Sequence, residues 1–160
     1  LPFPDDSVEA FFLSHVIEHI PDTLALMQEL HRISKAGATL VARVPYGSSD
    51  DAWEDPTHVR PYFIQSWGYF SQPFYWRSDP GYRGDWQPVQ IEFIVETDSY
   101  AMRNWRADLG ADPDRAQMLN MLFTERNFVR EMVATLQSVK PIREPKKELQ
   151  VMPKINFVLL

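Results

Sequence analysis

Val8-Glu9-Ala10-Phe11-Phe12-Leu13 and Thr39-Leu40-Val41-Ala42-Arg43-Val44 are two short apolar runs separated by a helical pattern, and their relation decides the fold. The first is broken only by Glu9 and is entered through the turn formers Pro4-Asp5-Asp6-Ser7, the pattern of a mostly buried strand. Between the runs, Pro21 and Asp22 open a helix in which Leu24, Met27, Leu30, His31 and Ile33 recur at steps of three and four. Gly37 sits where a helix end favours a left-handed residue, so the helix is predicted over residues 22–35. Pro45 and Gly47 stop the second run. Strand, helix and strand then make one βαβ unit, right-handed by the usual rule, with parallel strands.

Downstream, Ser48 to Pro61 is polar and turn-rich, and long loops at strand ends are where α/β proteins keep ligand contacts. A short helix is predicted over Gln65 to Phe70, followed by an aromatic stretch with Phe74, Tyr75, Trp76, Tyr82 and Trp86. Val89 to Met102 reads as a long strand, in which Ile91, Phe93 and Val95 alternate with Glu92, Ile94 and Glu96. Asp112-Pro113-Asp114 reads as a helix start, and Met118, Met121, Leu122, Val129, Met132, Val133 and Leu136 continue one apolar face to about residue 138. Pro141, Pro145 and Lys146-Lys147 lead to a closing strand, Ile155 to Leu160. No internal repeat is present.

The 160 residues, 44% hydrophobic and 24% charged, suffice for one domain with its own core. A net charge of -6 disfavours nonspecific attraction to phosphate backbones and anionic membranes, so neither nucleic acid nor membrane is an expected partner. The lack of cysteine excludes disulfides, thiolate nucleophiles and cysteine zinc sites, and fits a cytoplasmic location. No apolar run approaches the ~20 residues of a membrane span, and the first residues lack the basic region of a signal peptide. The sequence does not open on Met, which points to a start inside a longer protein.

Leu1-Pro2-Phe3-Pro4-Asp5-Asp6-Ser7, then Ser14-His15-Val16-Ile17-Glu18-His19-Ile20, then Lys35-Ala36-Gly37-Ala38-Thr39-Leu40 resemble, in that order, three consecutive segments of class I S-adenosylmethionine (SAM)-dependent methyltransferases. Asp55-Pro56-Thr57-His58-Val59-Arg60-Pro61-Tyr62-Phe63 resembles a loop after the fifth strand in a subset of them. The resemblance implies an α/β fold, a doubly wound methyltransferase sheet represented only by strands four to seven, in order 4-5-7-6 with the last strand antiparallel, and flanking helices. Residues 1–160 would then be the C-terminal half of the domain. Family members grip SAM chiefly with a glycine-rich turn after the first strand and an acidic residue ending the second. Six glycines occur and none forms G-x-G, so the N-terminal cofactor-binding half is absent. The parent protein is expected to transfer methyl from SAM to a small-molecule acceptor, while this chain alone binds no cofactor and is inactive.

By the same resemblance, the backbone of Ser14 and His15 lines the methionine moiety of SAM; the plainer role for His15 is to cap the strand. Glu18 and His19 face the acceptor, where a histidine near neutrality can take a proton; otherwise they stabilise the helix entry. Asp55, His58, Arg60 and Tyr62 form a second cluster, with His58 a catalytic candidate and Asp55, Arg60 and Tyr62 substrate-binding candidates. An arginine fork can hold a carboxylate or phosphate, and a histidine two positions earlier can orient or deprotonate an acceptor. The alternative is loop bracing, with Asp55 paired to Arg60 and His58 bonded to backbone. His15 and His19 are four apart beside Glu18, but Pro21 starts the helix after both and no third ligand is near in sequence, so no metal is expected. His31 reads as an interface or partly buried histidine. The aromatic stretch can wall an acceptor pocket or pack the core.

A fourth strand without its first-strand neighbour exposes an apolar edge, so a homodimer through residues 8–13 is expected. The competing function is a noncatalytic dimerisation or binding module on the same fold. A hydrolase is disfavoured, since the chain has no G-x-S-x-G.

Overall fold

The two runs on either side of Pro21 lie side by side and point the same way. In a computed structural model, which describes residues 1–96 and 114–160, β1 (Val8–Ser14) pairs in parallel with β2 (Ser34–Pro45), Phe11 opposite Leu40 and Leu13 opposite Ala42. The crossover between them is α1 (Thr23–Ile33), started by the Asp22 carboxylate accepting from the Ala25 amide at 2.9 Å. Among the described residues the sheet has three further strands, β3 (Trp86–Val95), β4 (Glu131–Ser138) and β5 (Lys154–Leu159), in the order β1-β2-β4-β3-β5. β4 runs antiparallel to both neighbours, and β5 runs parallel to β3.

Period-two burial builds the core. Leu40, Ala42 and Val44 of β2 stand opposite Leu136, Ala134 and Met132 of β4, which stand beside Ile91 and Phe93 of β3, and all of them are fully buried. Each large side chain so removed from water contributes about 1.5–3 kcal/mol. Met27, Leu30 and Ile33 from α1, with Tyr62, Trp67 and Phe70, complete one apolar cluster with these strands. Two indoles find polar partners in it: Trp86 Nε1 donates to the Met27 carbonyl at 2.9 Å, and Trp67 Nε1 to Met132 Sδ at 3.4 Å. No helix among the described residues is long and apolar enough to cross a membrane.

Several expected boundaries move. The first helix ends at Ile33, two residues early, because Ser34 is captured by the sheet: it pairs with Val8 and its hydroxyl lies 2.7 Å from that of Ser138. Gly37 does have a positive φ of 78°, but inside the irregular start of β2 and not as a helix cap. The strand expected over Val89 to Met102 is β3, and its part beyond residue 96 lies outside the described residues. The helix expected to reach residue 138 is α3 (Arg115–Thr124), capped by a reciprocal Asp114 and Gln117 pair, and residues 131–138 are β4 instead. Asn127, at φ 62°, breaks the chain between them. Met132, Ala134 and Leu136 then bury between two strands, which an isolated helical face cannot match. Among the described residues the sheet therefore has five strands where four were expected, and the last in sequence is parallel to its neighbour; the reversed strand is β4. β1 is an edge strand, not a mostly buried one, and Phe12 is 70% exposed on it.

One buried ion pair ties the chain after β4 to the start of β3. Asp85, with no exposed surface, accepts from Arg143 Nε and Nη2 at 2.8 Å each and from the Arg143 and Gln72 amides at 3.0 and 3.2 Å. The remaining guanidinium donors reach Gln87 and Ser71. Removing one partner strands a buried charge, which costs about 3–5 kcal/mol. Arg143→Ala is accordingly expected to lower the urea unfolding free energy by that amount. An unchanged midpoint would show that water replaces the guanidinium at no cost.

Candidate functional site

β1 and β2 end at one edge of the sheet, and the segments that leave them are bonded to each other. After Ser14 the chain takes a left-handed step at His15, φ 52°, whose amide still donates to the Arg43 carbonyl at 2.9 Å. A single 3-10 turn, Ile17–His19, follows, anchored by the fully buried Ile17. After Pro45 the loop carries α2 (Asp51–Glu54) and returns as residues 55–62. The Val59 amide donates to the Glu18 carbonyl at 2.8 Å, and the Gly47 amide donates to the Tyr62 carbonyl at 2.8 Å. These bonds place His58 against His19, ring centres 4.7 Å apart and edge to face.

Polar partners fix both rings. Thr57 Oγ1 donates to Asp55 Oδ1 at 2.6 Å, so it accepts from His19 Nδ1 at 3.0 Å, with the Thr57 carbonyl at 3.3 Å from the same nitrogen. His58 Nδ1 donates to the Ala52 carbonyl at 3.2 Å. A carbonyl oxygen only accepts, so these partners assign a proton to Nδ1 of each ring and leave Nε2 as the nitrogen open to another partner. Bonds from the Thr57 hydroxyl and amide hold the Asp55 carboxyl below the usual carboxylate range. His58 Nε2 lies 3.8 Å from Asp55 Oδ2.

Glu18 is the outlier. Its side chain is 2% exposed, and neither carboxylate oxygen has a hydrogen-bond partner; His15 Nδ1 stands 3.3 Å from Oε1. His15 is itself drawn toward β4, with Nε2 at 2.8 Å from Glu131 Oε1, and Glu131 also accepts from Arg43 Nε at 2.9 Å. A cleft of about 400 Å³ opens here, lined by His15, Asp51, Asp55, His58, Arg130 and Glu131 among others.

A second cleft, of about 670 Å³, lies beside the first helix and is walled by Arg60, Tyr62, Phe63, Tyr69, Phe70 and Tyr75 among others. The expected second cluster is thus divided: Asp55 and His58 join Glu18 and His19, whereas Arg60 and Tyr62 turn to the aromatic cleft. No ion pair joins Asp55 to Arg60 among the described residues; Thr57 takes the carboxylate. The loop brace expected from His58 and backbone is present in its bond to Ala52. Tyr62 is 1% exposed and stacked on Trp67 at 5.1 Å, so it serves the cleft as wall and not as donor. Ser14 stands exposed at the strand end. His31 is buried, with Nε2 at 3.1 Å from the Val139 carbonyl, and burial pushes its pKa down. The fold brings His58, forty residues on, beside Glu18 and His19, one potential ligand atom from each lying within 4.8 Å of the others; His15, paired with His19 in the sequence reading, turns to Glu131. Thr57, Glu131 and Arg43 were not singled out from the sequence; the Asp-x-Thr spacing of an Asx turn marks Thr57, while Glu131 was hidden by the helical reading of β4.

Residues 1–42 match the methyltransferase domain family. No curated protein matches the chain. A SAM dependent methyltransferase from Archaeoglobus fulgidus superposes with a TM-score of 0.53 at 18% identity, over 85% of this chain and 62% of that one. The YcgJ protein from Bacillus subtilis gives 0.50 at 17%, over 87% and 67%. A chain of the complex containing the Haloferax volcanii Trm112 methyltransferase activator gives 0.53 at 17%, over 90% and 59%. These likenesses show the fold alone, an α/β mixed sheet with flanking helices as in these solved structures. This chain spans 62% of the length of the first of them.

Burial pushes the Tyr62 phenol from 10.0 up to about 12. Its neutral form is favoured by folding, so its contribution to stability is complete below pH 10.0 and is lost as pH rises toward about 12. Tyr62→Phe is expected to make the alkaline loss of stability shallower over that window. Denaturant midpoints measured against pH check this; a slope equal to that of the wild type contradicts it.

Proposed function

We propose that this chain, which carries the class I SAM-dependent methyltransferase fold, is the acceptor-facing part of an enzyme that moves a methyl group from SAM to a small molecule. The observation that carries this reading is the meeting of Glu18, His19 and His58 at the carboxyl edge of β1 and β2, in a chain whose first 42 residues match the methyltransferase domain family. In this reading β1, β2, β4 and β3 stand as strands four, five, seven and six of the class I sheet, and β5 is an added edge strand.

The acceptor sits in the aromatic cleft, its apolar body against Tyr69, Phe70 and Tyr75, with Arg60 available to a carboxylate or phosphate. Ser14 and His15 border the methionine end of SAM. A lone pair of the acceptor forms the bond to the methyl carbon as the carbon–sulfur bond breaks, and those electrons return to sulfur to leave S-adenosylhomocysteine. Holding nucleophile, methyl and sulfur in line supplies much of the rate. The proton leaves toward the Glu18, His19 and His58 group, where an Nε2 lone pair accepts it. The glycine-rich SAM grip, which no stretch of these 160 residues supplies, is proposed to come from a segment that pairs with the free edge of β1.

Calorimetry with SAM tests the reading. The 160-residue chain alone is expected to show no saturation at micromolar SAM, and the product of the whole reading frame to bind at micromolar Kd, weakened at least tenfold by Ser14→Trp. Absence of SAM binding by the whole product sinks it.

A second reading rests on Phe12, 70% exposed on an unpaired strand edge. Such an edge templates pairing, so the chain by itself is proposed to form a homodimer through β1, and a scaffold role would need nothing more. Light scattering at micromolar concentration is expected to give twice the chain mass and Phe12→Lys the monomer. A monomeric wild type rejects this.

A further inference from the structure

We infer that Glu18, His19 and His58 hold a divalent first-row transition-metal ion. One ligand atom from each residue lies within 4.8 Å of the other two, so a single point lies within about 2.8 Å of all three. Zinc binds imidazole nitrogen and carboxylate oxygen at about 2.0–2.2 Å, so each side chain needs to close by less than about 1 Å.

The buried Glu18 carboxylate is the second observation. Both its oxygens are buried and without a hydrogen-bond partner, and the His15 ring, whose Nδ1 lies 3.3 Å from Oε1, is shared with Glu131 at 2.8 Å. Burying a charge without a partner costs several kcal/mol, and buried carboxylates are otherwise paired or bound to metal. A cation placed between Glu18 and the two rings removes that cost. Within this chain, Asp85 shows the alternative solution, a guanidinium on both oxygens.

The histidines are prepared in the same sense. Metal-bound imidazoles donate their other nitrogen to a carbonyl or a carboxylate-linked group, which fixes tautomer and orientation. His58 Nδ1 does so to the Ala52 carbonyl, and His19 Nδ1 to Thr57, whose hydroxyl is in turn held by Asp55. In the adjoining cleft Asp51 is paired with Arg130 and Glu131 with Arg43, and Glu54 and Asp55 carry the remaining negative charge. The surroundings therefore favour a cation.

Two imidazoles and one carboxylate suit Zn²⁺, Co²⁺, Ni²⁺ or Fe²⁺, and not Mg²⁺ or Ca²⁺, which take oxygen ligands. Three protein ligands leave a coordination position for an oxygen acceptor, which then loses its proton more readily. That consequence rests on the methyl-transfer reading, with the rings acting as ligands and no longer as proton acceptors; the binding does not.

Calorimetry with Zn²⁺ on the chelator-treated chain is expected to give one ion per chain at micromolar Kd or tighter, and Co²⁺ to give visible absorption bands displaced by Zn²⁺. Glu18→Gln and His58→Ala each are expected to weaken Zn²⁺ at least tenfold. His19→Ala, at a half-buried ring, reads the same loss should either of the other variants fail to fold, with circular dichroism as the check. Lack of saturable binding by the wild type overturns the inference, as does binding that all folded variants retain. SAM affinity is read separately, so a chain that binds Zn²⁺ while the whole product binds no SAM keeps the metal site and rejects the methyl-transfer reading.

Discussion

Parallel pairing of β1 with β2 obliges the chain to travel from one end of the sheet back to the other between them, and α1 is that journey. Because both strands point the same way, Ser14 and Pro45 finish at the same edge and the segments after them leave side by side. The rest of the site follows from this proximity. Hydrogen bonds from the Val59 amide to the Glu18 carbonyl and from the His15 amide to the Arg43 carbonyl join the two exits, and the pair of histidines forms where they touch. Were the strands antiparallel, residues 15–19 and 55–58 would lie at opposite ends of a sheet some seven residues long.

Among the described residues the two most buried carboxylates are treated in opposite ways. Asp85 is surrounded by donors from Arg143 and Gln72, so its charge locks the segment after β4 to the start of β3. Glu18 is held equally deep by the buried Ile17 beside it and by the loop bonded to its carbonyl, yet its side-chain oxygens accept no hydrogen bond. A charge fully satisfied within the chain holds structure together; one left open beside two oriented imidazoles is a place for something to bind.

The opening of the chain was legible because its signals agree with one another. The apolar run at Val8, the Asp22 cap, the three-and-four spacing of α1 and the β-branched run at Thr39 all favour the same βαβ unit. The segment from Arg115 onward carried conflicting signals. Val129, Met132, Val133 and Leu136 fit a helical stripe, while Met132, Ala134 and Leu136 fit a strand, and local pattern cannot choose. The choice was made by β2 and β3, which offer Leu40, Ala42, Val44, Ile91 and Phe93 as facing partners. With β4 in place, Glu131 reaches His15, a contact that a helix there conceals.

By itself the sequence determined the strand–helix–strand start, the rim positions of Ser14, His15, Glu18 and His19, and a polar loop bearing Asp55 and His58, since each is set by neighbours within a few residues. Only the tertiary structure decided that His58 meets Glu18 and His19, that Arg60 and Tyr62 face a different cleft, that β4 enters the sheet between β2 and β3, and that the Glu18 carboxylate is buried without a hydrogen-bond partner. Those outcomes depend on contacts between segments about forty to ninety residues apart, where burial and strand pairing outweigh the local preferences that a linear reading can weigh.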